Sequence, residues 1–328
     1  MADISFDSMI EEYLVYCHAR QLRQKTMNSY EQALRLFQRW CFDELDITTV
    51  DAVSESVMRH YIIGIQERGK YSFYSSEGDR QIYNPERRRD YRKQVSATTI
   101  NNYLRNLKAF FSWLAEDGYI QRDPLKKVKF LKAERKAREY LTDAEFKKLV
   151  NSMDKSYFSE HRDYTMIMLM IDTGMRLGEC SKLRVSDIDI SRRQISIRAD
   201  IAKGVRDRSV FFSPKTERVL RNWMQYKDRY VETEYLFPTK KNKMPVNLSS
   251  FESNFKGYLR RAKIEKDVTP HCLRNNFAKR CLMNGMDIYT LSRLLGHSSV
   301  TVTEEAYLDL TDNDIGQRYQ RFSPVTSM

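Results

Sequence analysis

Residues 162–183 read RDYTMIMLMIDTGMRLGECSKL. From Arg162 to Asp172 the run is apolar nearly all round, so it predicts a helix buried at the centre of a core. Gly174 ends it, because glycine takes the left-handed conformation that closes a helix without a Cβ penalty. Arg176–Leu183 then predicts a short second helix with an arginine at its head. A helix N-terminus attracts anions, and a guanidinium adds a fork that fits a phosphate. Glu179, three residues on, is placed to hold that guanidinium. Taken alone, the pair reads equally well as an ordinary surface ion pair.

Helical periodicity continues on both sides. Upstream, apolar residues recur at helical spacing over Ser5–Cys17, Thr26–Phe42, Ser54–Gln66 and Thr98–Asp117, with Gly118 closing the last. The polar stretch Gly69–Gln94 between the third and fourth predicts a long loop, and its Arg87, Arg88 and Arg89 form a solvated or phosphate-touching run. Arg122–Arg138 carries eight basic residues against two acidic ones and contains Pro124. That stretch is the predicted domain boundary: residues 1–121 form one domain, 122–137 a basic linker and 138–328 a second domain. Lys126, Lys127, Lys129 and Lys132 in the linker are candidate DNA contacts. Beyond it, Thr142 is a predicted N-cap with acids in the first turn. Gln194–Ala199 and Arg208–Ser213 predict a hairpin, after which helices resume from Lys215.

The 328 residues suit two domains, and 41% hydrophobic content suffices to bury a core in each. The net charge of +12 points to a polyanionic partner, of which nucleic acid is the commonest. No run of 18 apolar residues predicts a membrane span, and the N-terminus has no secretion-signal pattern. Five cysteines without a CxxC pair suit a reducing compartment. His18, His60, His161, His271 and His297 show no metal-ligand spacing, and there is no GxxxxGK[ST] loop. Zinc- or ATP-driven chemistry is therefore not expected; the 44 acids could hide a carboxylate triad for two-metal chemistry, but nothing singles one out, and no cofactor is called for.

Two further clusters carry chemistry. Thr269-Pro270-His271-Cys272-Leu273-Arg274 reads as a capped helix start with His271 and Arg274 on one face of the first turn. Such a pair can grip and protonate a phosphate oxygen, or it is a structural arginine beside a capping histidine. Leu294-Leu295-Gly296-His297 ends an amphipathic helix and leaves His297 at a turn, with Tyr307 ten residues later. A tyrosine so placed is by default a core residue.

In that order, TGMRLGE, HCLR, LLGH and a following tyrosine resemble the tyrosine recombinase, or phage integrase, family. The resemblance implies a mainly α fold. A helical, SAM-like core-DNA-binding domain would precede an α-helical catalytic domain with a small β-sheet, forming a C-shaped clamp on duplex DNA. The plan is similar to two-domain Xer-type and Cre-like recombinases. It implies that Arg176 and Arg274 clamp the scissile phosphate, with Glu179 supporting the first. His271 is the implied acid–base group, His297 a further phosphate ligand and Tyr307 the nucleophile. Lys203, in the hairpin turn, would protonate the leaving 5′-oxygen, a role its neighbours Arg206 and Arg208 could share. The step from His297 to Tyr307 is one residue longer than the family's usual one.

The implied activity is site-specific, metal- and ATP-independent breakage and rejoining of DNA through a 3′-phosphotyrosine and a Holliday junction. The implied partners are a double-stranded recombination site, a homotetramer on two such sites and an accessory directionality protein. The implied location is the bacterial cytoplasm, at the nucleoid. The tail Asp312–Met328, with Ile315, Tyr319 and Phe322 at helical spacing, would dock on a neighbouring protomer. Rival readings are a type IB topoisomerase, a telomere resolvase and a non-catalytic DNA-binding regulator with the same fold.

Overall fold

The computed structural model describes residues 4–71, 85–133, 139–202, 207–297, 299–301, 303, 304, 312–322 and 325. It divides into two compact units, Met1–Lys136 and Ala137–Met328. Among the described residues no helix is long and apolar enough to cross a membrane.

The first unit is built on α1 (Phe6–Ala19), α2 (Gln24–Leu45), α3 (Glu55–Arg68) and α4 (Ala97–Glu116). Serines start three of these helices: the side chains of Ser5, Ser54 and Ser96 accept from the backbone N–H of the residue three on. After α4, Asp117 takes the cap and Gly118 follows at φ +80°, while Tyr119 N closes the end on Leu114 O at 2.9 Å. The apolar faces meet in a core rich in aromatic rings, where Phe37 and Tyr61 pack edge to face with centroids 4.8 Å apart.

The basic stretch after α4 behaves differently from the linker expected of it. Leu125 and Val128 are buried in the first unit's core, and Leu131 packs on it. Asn101 clasps Leu131 by donating to its carbonyl (2.9 Å) and accepting from its N–H (2.8 Å). The first unit therefore extends past residue 121 and takes in most of the segment expected to link the two. Lys126, Lys127, Lys129 and Lys132 occupy the exposed positions between the buried ones. Arg87, Arg88 and Arg89 are exposed too, although Arg88 lies over the Tyr71 ring at 4.4 Å and donates to Asp90.

The second unit contains α5 (Asp143–Asn151), α6 (Phe158–Thr173), α7 (Leu177–Ser181), α8 (Pro214–Asp228), α9 (Leu248–Arg261), α10 (His271–Met283), α11 (Ile288–Leu295) and α12 (Asp312–Phe322). Thr142 caps α5 in a reciprocal capping box with Glu145. As its all-round apolar pattern requires, α6 is the central helix, packed against α8 and α10. Its first turns add a feature the apolar reading omits. Arg162 and Asp163 are both buried, and the Asp163 carboxylate accepts from Arg162, Asn254 (2.9 Å) and the Tyr258 hydroxyl (2.8 Å). Four donated bonds offset the cost of removing that charge from water and tie α6 to α9.

A small antiparallel sheet lies in the order β1 (Ile188–Asp189), β2 (Gln194–Ile197) and β3 (Arg208–Phe211). β2 and β3 are the expected hairpin, with Ile195 opposite Val210 and Ile197 opposite Arg208. The two-residue β1 is an addition to the sequence reading. The tip that carries Lys203 and Arg206 lies outside the described residues, as does Tyr307.

Candidate active site

Four helix ends and one strand position the site. Gly174 closes α6 at φ +68°, and its missing side chain leaves room that a neighbour occupies. A Cβ there would stand 2.3 Å from Phe277 and 3.0 Å from Leu295. Gly174→Ala therefore combines left-handed strain with overpacking. It is expected to cost about 2–4 kcal/mol, read as a lower thermal midpoint.

Two residues on, Arg176 caps α7 with extended backbone. Glu179 folds back on it, accepting from the Arg176 N–H (2.8 Å) and guanidinium (2.9 Å). The same carboxylate accepts two bonds from Arg208 on β3, at 3.1 and 2.6 Å. Glu179 is 1% exposed, so four donors converge on a buried anion. Burial alone would raise its pKa; Arg208 above all, with Arg176, outweighs that and holds the carboxyl below the usual range.

Arg274 enters from the first turn of α10 and is 3% exposed. Pro270, helical in its dihedrals, takes the capping position one residue later than Thr269, where the sequence reading put it. The Arg274 guanidinium donates to Gly174 O and Leu295 O, both at 2.7 Å, closing the ends of α6 and α11 together. It also contacts His297 Nε2 at 2.8 Å. Arginine is a donor only, so this nitrogen accepts, and the His297 Nδ1–H donates to Thr303 Oγ1, 2.8 Å away. Gly296 makes the turn that delivers His297, at φ +66°.

Two guanidinium groups thus bond one carboxylate, and a third, Arg274, lies near enough to feel its charge and theirs, so the site carries net positive charge. The Arg274 pKa is pushed down to about 9, first by burial and then by repulsion from Arg176. The His297 pKa falls to about 4 through burial, then through Arg274, Arg176, Arg208 and His271. Arg274 stays charged at neutral pH while His297 is neutral. The cluster is therefore suited to a phosphate, whose negative charge would relieve the repulsion.

The His297 shift has a sign that can be checked. Its folded pKa lies below the unfolded value near 6.5, so the unfolded chain binds the extra proton between the two. Stability contributed by neutral His297 is complete above pH ~6.5 and is lost as pH falls toward 4. After allowance for solvent screening this is about 1 kcal/mol, or ~2–4 °C in thermal midpoint. Melting curves of wild type and His297→Asn across that window should diverge at high pH and converge at low pH.

The structure brings together Arg176, Glu179, Arg274 and His297. His271 opens α10, exposed, and its charge reaches His297. Tyr307 and Lys203 fall outside the described residues. Arg208 is committed to Glu179 and to Leu294 O (3.2 Å), which differs from the proton-sharing role read for it. Strand alternation was the available signal, since Val210 on the same face is fully buried. Thr303, fully buried behind His297, had no such signal.

The model of the phage integrase family matches residues 139–314, more than half the chain. The chain belongs to the phage integrase family. This family member resembles a tyrosine recombinase of Thermosipho africanus, 26% identical over 309 residues that cover 94% of this chain and 97% of the relative. It also resembles the tyrosine recombinase XerC of Pediococcus pentosaceus, 23% identical with 97% of each covered. Among solved structures, the Tn1549 transposon integrase in complex with a circular intermediate DNA has a TM-score of 0.72 at 19% identity, over 98% of this chain and all of that one. A lambda integrase dimer bound to a core site has 0.69 at 14% identity, over 94% and 97%. At such identities the structural likeness speaks for the integrase fold: mainly helical with a small sheet.

Proposed function

We propose that this phage integrase family member is a site-specific DNA recombinase. The observation that carries the reading is the buried Arg274, bonded to two helix ends and to His297 and set where the charge of Arg176 reaches it. An arginine that only tied two helix ends together would not need a second arginine and a histidine beside it; a protein that stabilises charge developing on phosphorus uses all three.

The chemistry follows from the residue types. Arg176 and Arg274 hold two non-bridging oxygens of the scissile phosphate. The Tyr307 phenol has an ordinary pKa near 10 and is a poor nucleophile until a proton acceptor and the arginines favour its phenolate. His271 accepts the phenol proton as the tyrosine oxygen bonds phosphorus. The bond to the 5′-oxygen breaks, and Lys203 donates a proton to that leaving oxygen. His297 hydrogen-bonds the same phosphate. That needs a proton on Nε2, so phosphate binding is linked to a tautomer change or proton uptake at His297. The 3′-phosphotyrosine conserves the phosphodiester energy, so a partner strand's 5′-hydroxyl can reverse the steps without ATP or metal.

Repeated on both strands, these steps exchange duplexes through a Holliday junction, with a tetramer on two sites. The first unit contributes DNA contacts through Arg87, Arg88, Arg89, Lys126, Lys127, Lys129 and Lys132, and the second the chemistry. The α12 tail, with Ile315 and Tyr319 exposed, docks on a neighbouring protomer; Lys279 pairs with Asp314 at its start. The protein works at the nucleoid, and an accessory protein sets direction. The deciding experiment is a nicked suicide duplex bearing a site recovered from bound host-genome fragments. A covalent adduct on a denaturing gel is the expected product; tight binding without an adduct would favour a non-catalytic regulator.

A further inference from the structure

Arg208 stands at the junction of three separately folded parts of the site. It opens β3, with its side chain only 11% exposed. Its two terminal nitrogens fork onto the two oxygens of Glu179, at 3.1 and 2.6 Å. Its Nε–H donates to Leu294 O in the last turn of α11, at 3.2 Å. Its stem lies across Gly296, where a Cβ would come within 2.8 Å of the Arg208 Cδ and Nε. So Gly296 serves two ends: it takes the left-handed turn, and it leaves a bare backbone face for a guanidinium to cross.

The consequence is geometric. Glu179 has two donors on its own helix end, the Arg176 N–H and guanidinium, and two from Arg208. The two bonds from Arg176 tie the carboxylate to its own helix end only, and leave it free to shift relative to the sheet. Held from both sides it has one orientation, and Arg176 inherits it. The α11 turn is fixed by the same guanidinium, and His297 follows directly on Gly296. We infer that Arg208 is a positioning residue that aligns Arg176, through Glu179, with His297, through the last turn of α11. This rests on the recombinase reading for its consequence in catalysis, and on the structure alone for the linkage. Lysine is a poor replacement, because a point-charge ammonium lacks the planar fork and the separate Nε–H that reach Glu179 and Leu294 O together.

The test uses the full-length chain with Arg208→Lys and Arg208→Met, and Arg221→Met on the exposed side of α8 as control. Arg208→Lys should lower the single-turnover cleavage rate at saturating DNA about 30–100-fold, a misalignment effect. Its affinity for duplex should stay within about threefold. In DNA-free Arg208→Met the His297 imidazole should titrate measurably higher than in wild type, because one of the cations facing it is gone. The cations that remain are Arg274, Arg176 and His271, and the carboxylate Arg208 leaves behind, Glu179, keeps its bonds to Arg176.

A third readout needs neither activity nor DNA. Gly296→Ala should lower the thermal midpoint less in an Arg208→Ala background than in wild type, since the clash partner has been removed. If Arg208→Met does not fold, Arg208→Lys and this comparison decide. Wild-type cleavage rates in Arg208→Lys, or Gly296→Ala effects that simply add, would overturn the inference. Absence of any adduct from wild type would instead strike the recombinase reading and leave the thermal comparison standing.

Discussion

Tyr307→Phe is expected to form no covalent adduct on the suicide duplex while binding it within about threefold of wild type. The change removes one oxygen, the atom that would bond phosphorus, and leaves an aromatic ring of the same shape. Losses on removing a covalent nucleophile reach about 10⁵–10⁶-fold, which a denaturing gel reads as complete. The adduct from wild type in the neighbouring lane makes the comparison sharp. An adduct that survives Tyr307→Phe would move the nucleophile to Tyr289 or Tyr319, both exposed, the first on α11 and the second on α12. This experiment also settles whether the longer step from His297 to Tyr307 matters.

Arg274→Lys carries the second-largest expected effect, because charge is retained and nearly everything else is lost. Gly174 O and Leu295 O each lose a donor, and a lysine at this depth cannot fork between them. The charge itself then becomes conditional. Burial and Arg176 bring a guanidinium from 12.5 to about 9, still protonated at neutral pH. An ammonium begins lower, near 10.4, so the same surroundings bring it closer to neutrality. Cleavage should fall about 10³-fold at pH 8, the scale of removing one or two donors from a developing oxyanion. Part of the loss should return toward pH 6.5, where the lysine regains its proton. A pH profile with the same relative loss at every pH would show that only geometry, not charge, had been lost.

Much of this is legible in the sequence. The apolar run from Arg162, the glycine after it and the arginine that opens the next helix are local signals, and local signals define helix ends well. What escaped lies in pairings between distant segments. Arg208 meets Leu294 across 86 residues and Glu179 across 29. No periodicity encodes such a pairing, although the inward side of β3 hinted at it. The basic stretch after α4 hid Leu125 and Val128 for another reason. Its lysines set the overall character, and two buried residues among so many charges do not make a visible pattern.

Arg274 bonds Gly174 across 100 residues and Leu295 across 21. Contacts so distant in sequence close large loops, and they form late, once most of the unit is compact. Synthesis delivers Arg176 and Glu179 well before Arg274, and Tyr307 later still. A nascent or half-folded chain would carry the basic surface that finds DNA without the assembled means of cutting it. Strand breakage would then be reserved to the finished fold, a safeguard against stray nicks that arises from chain order alone.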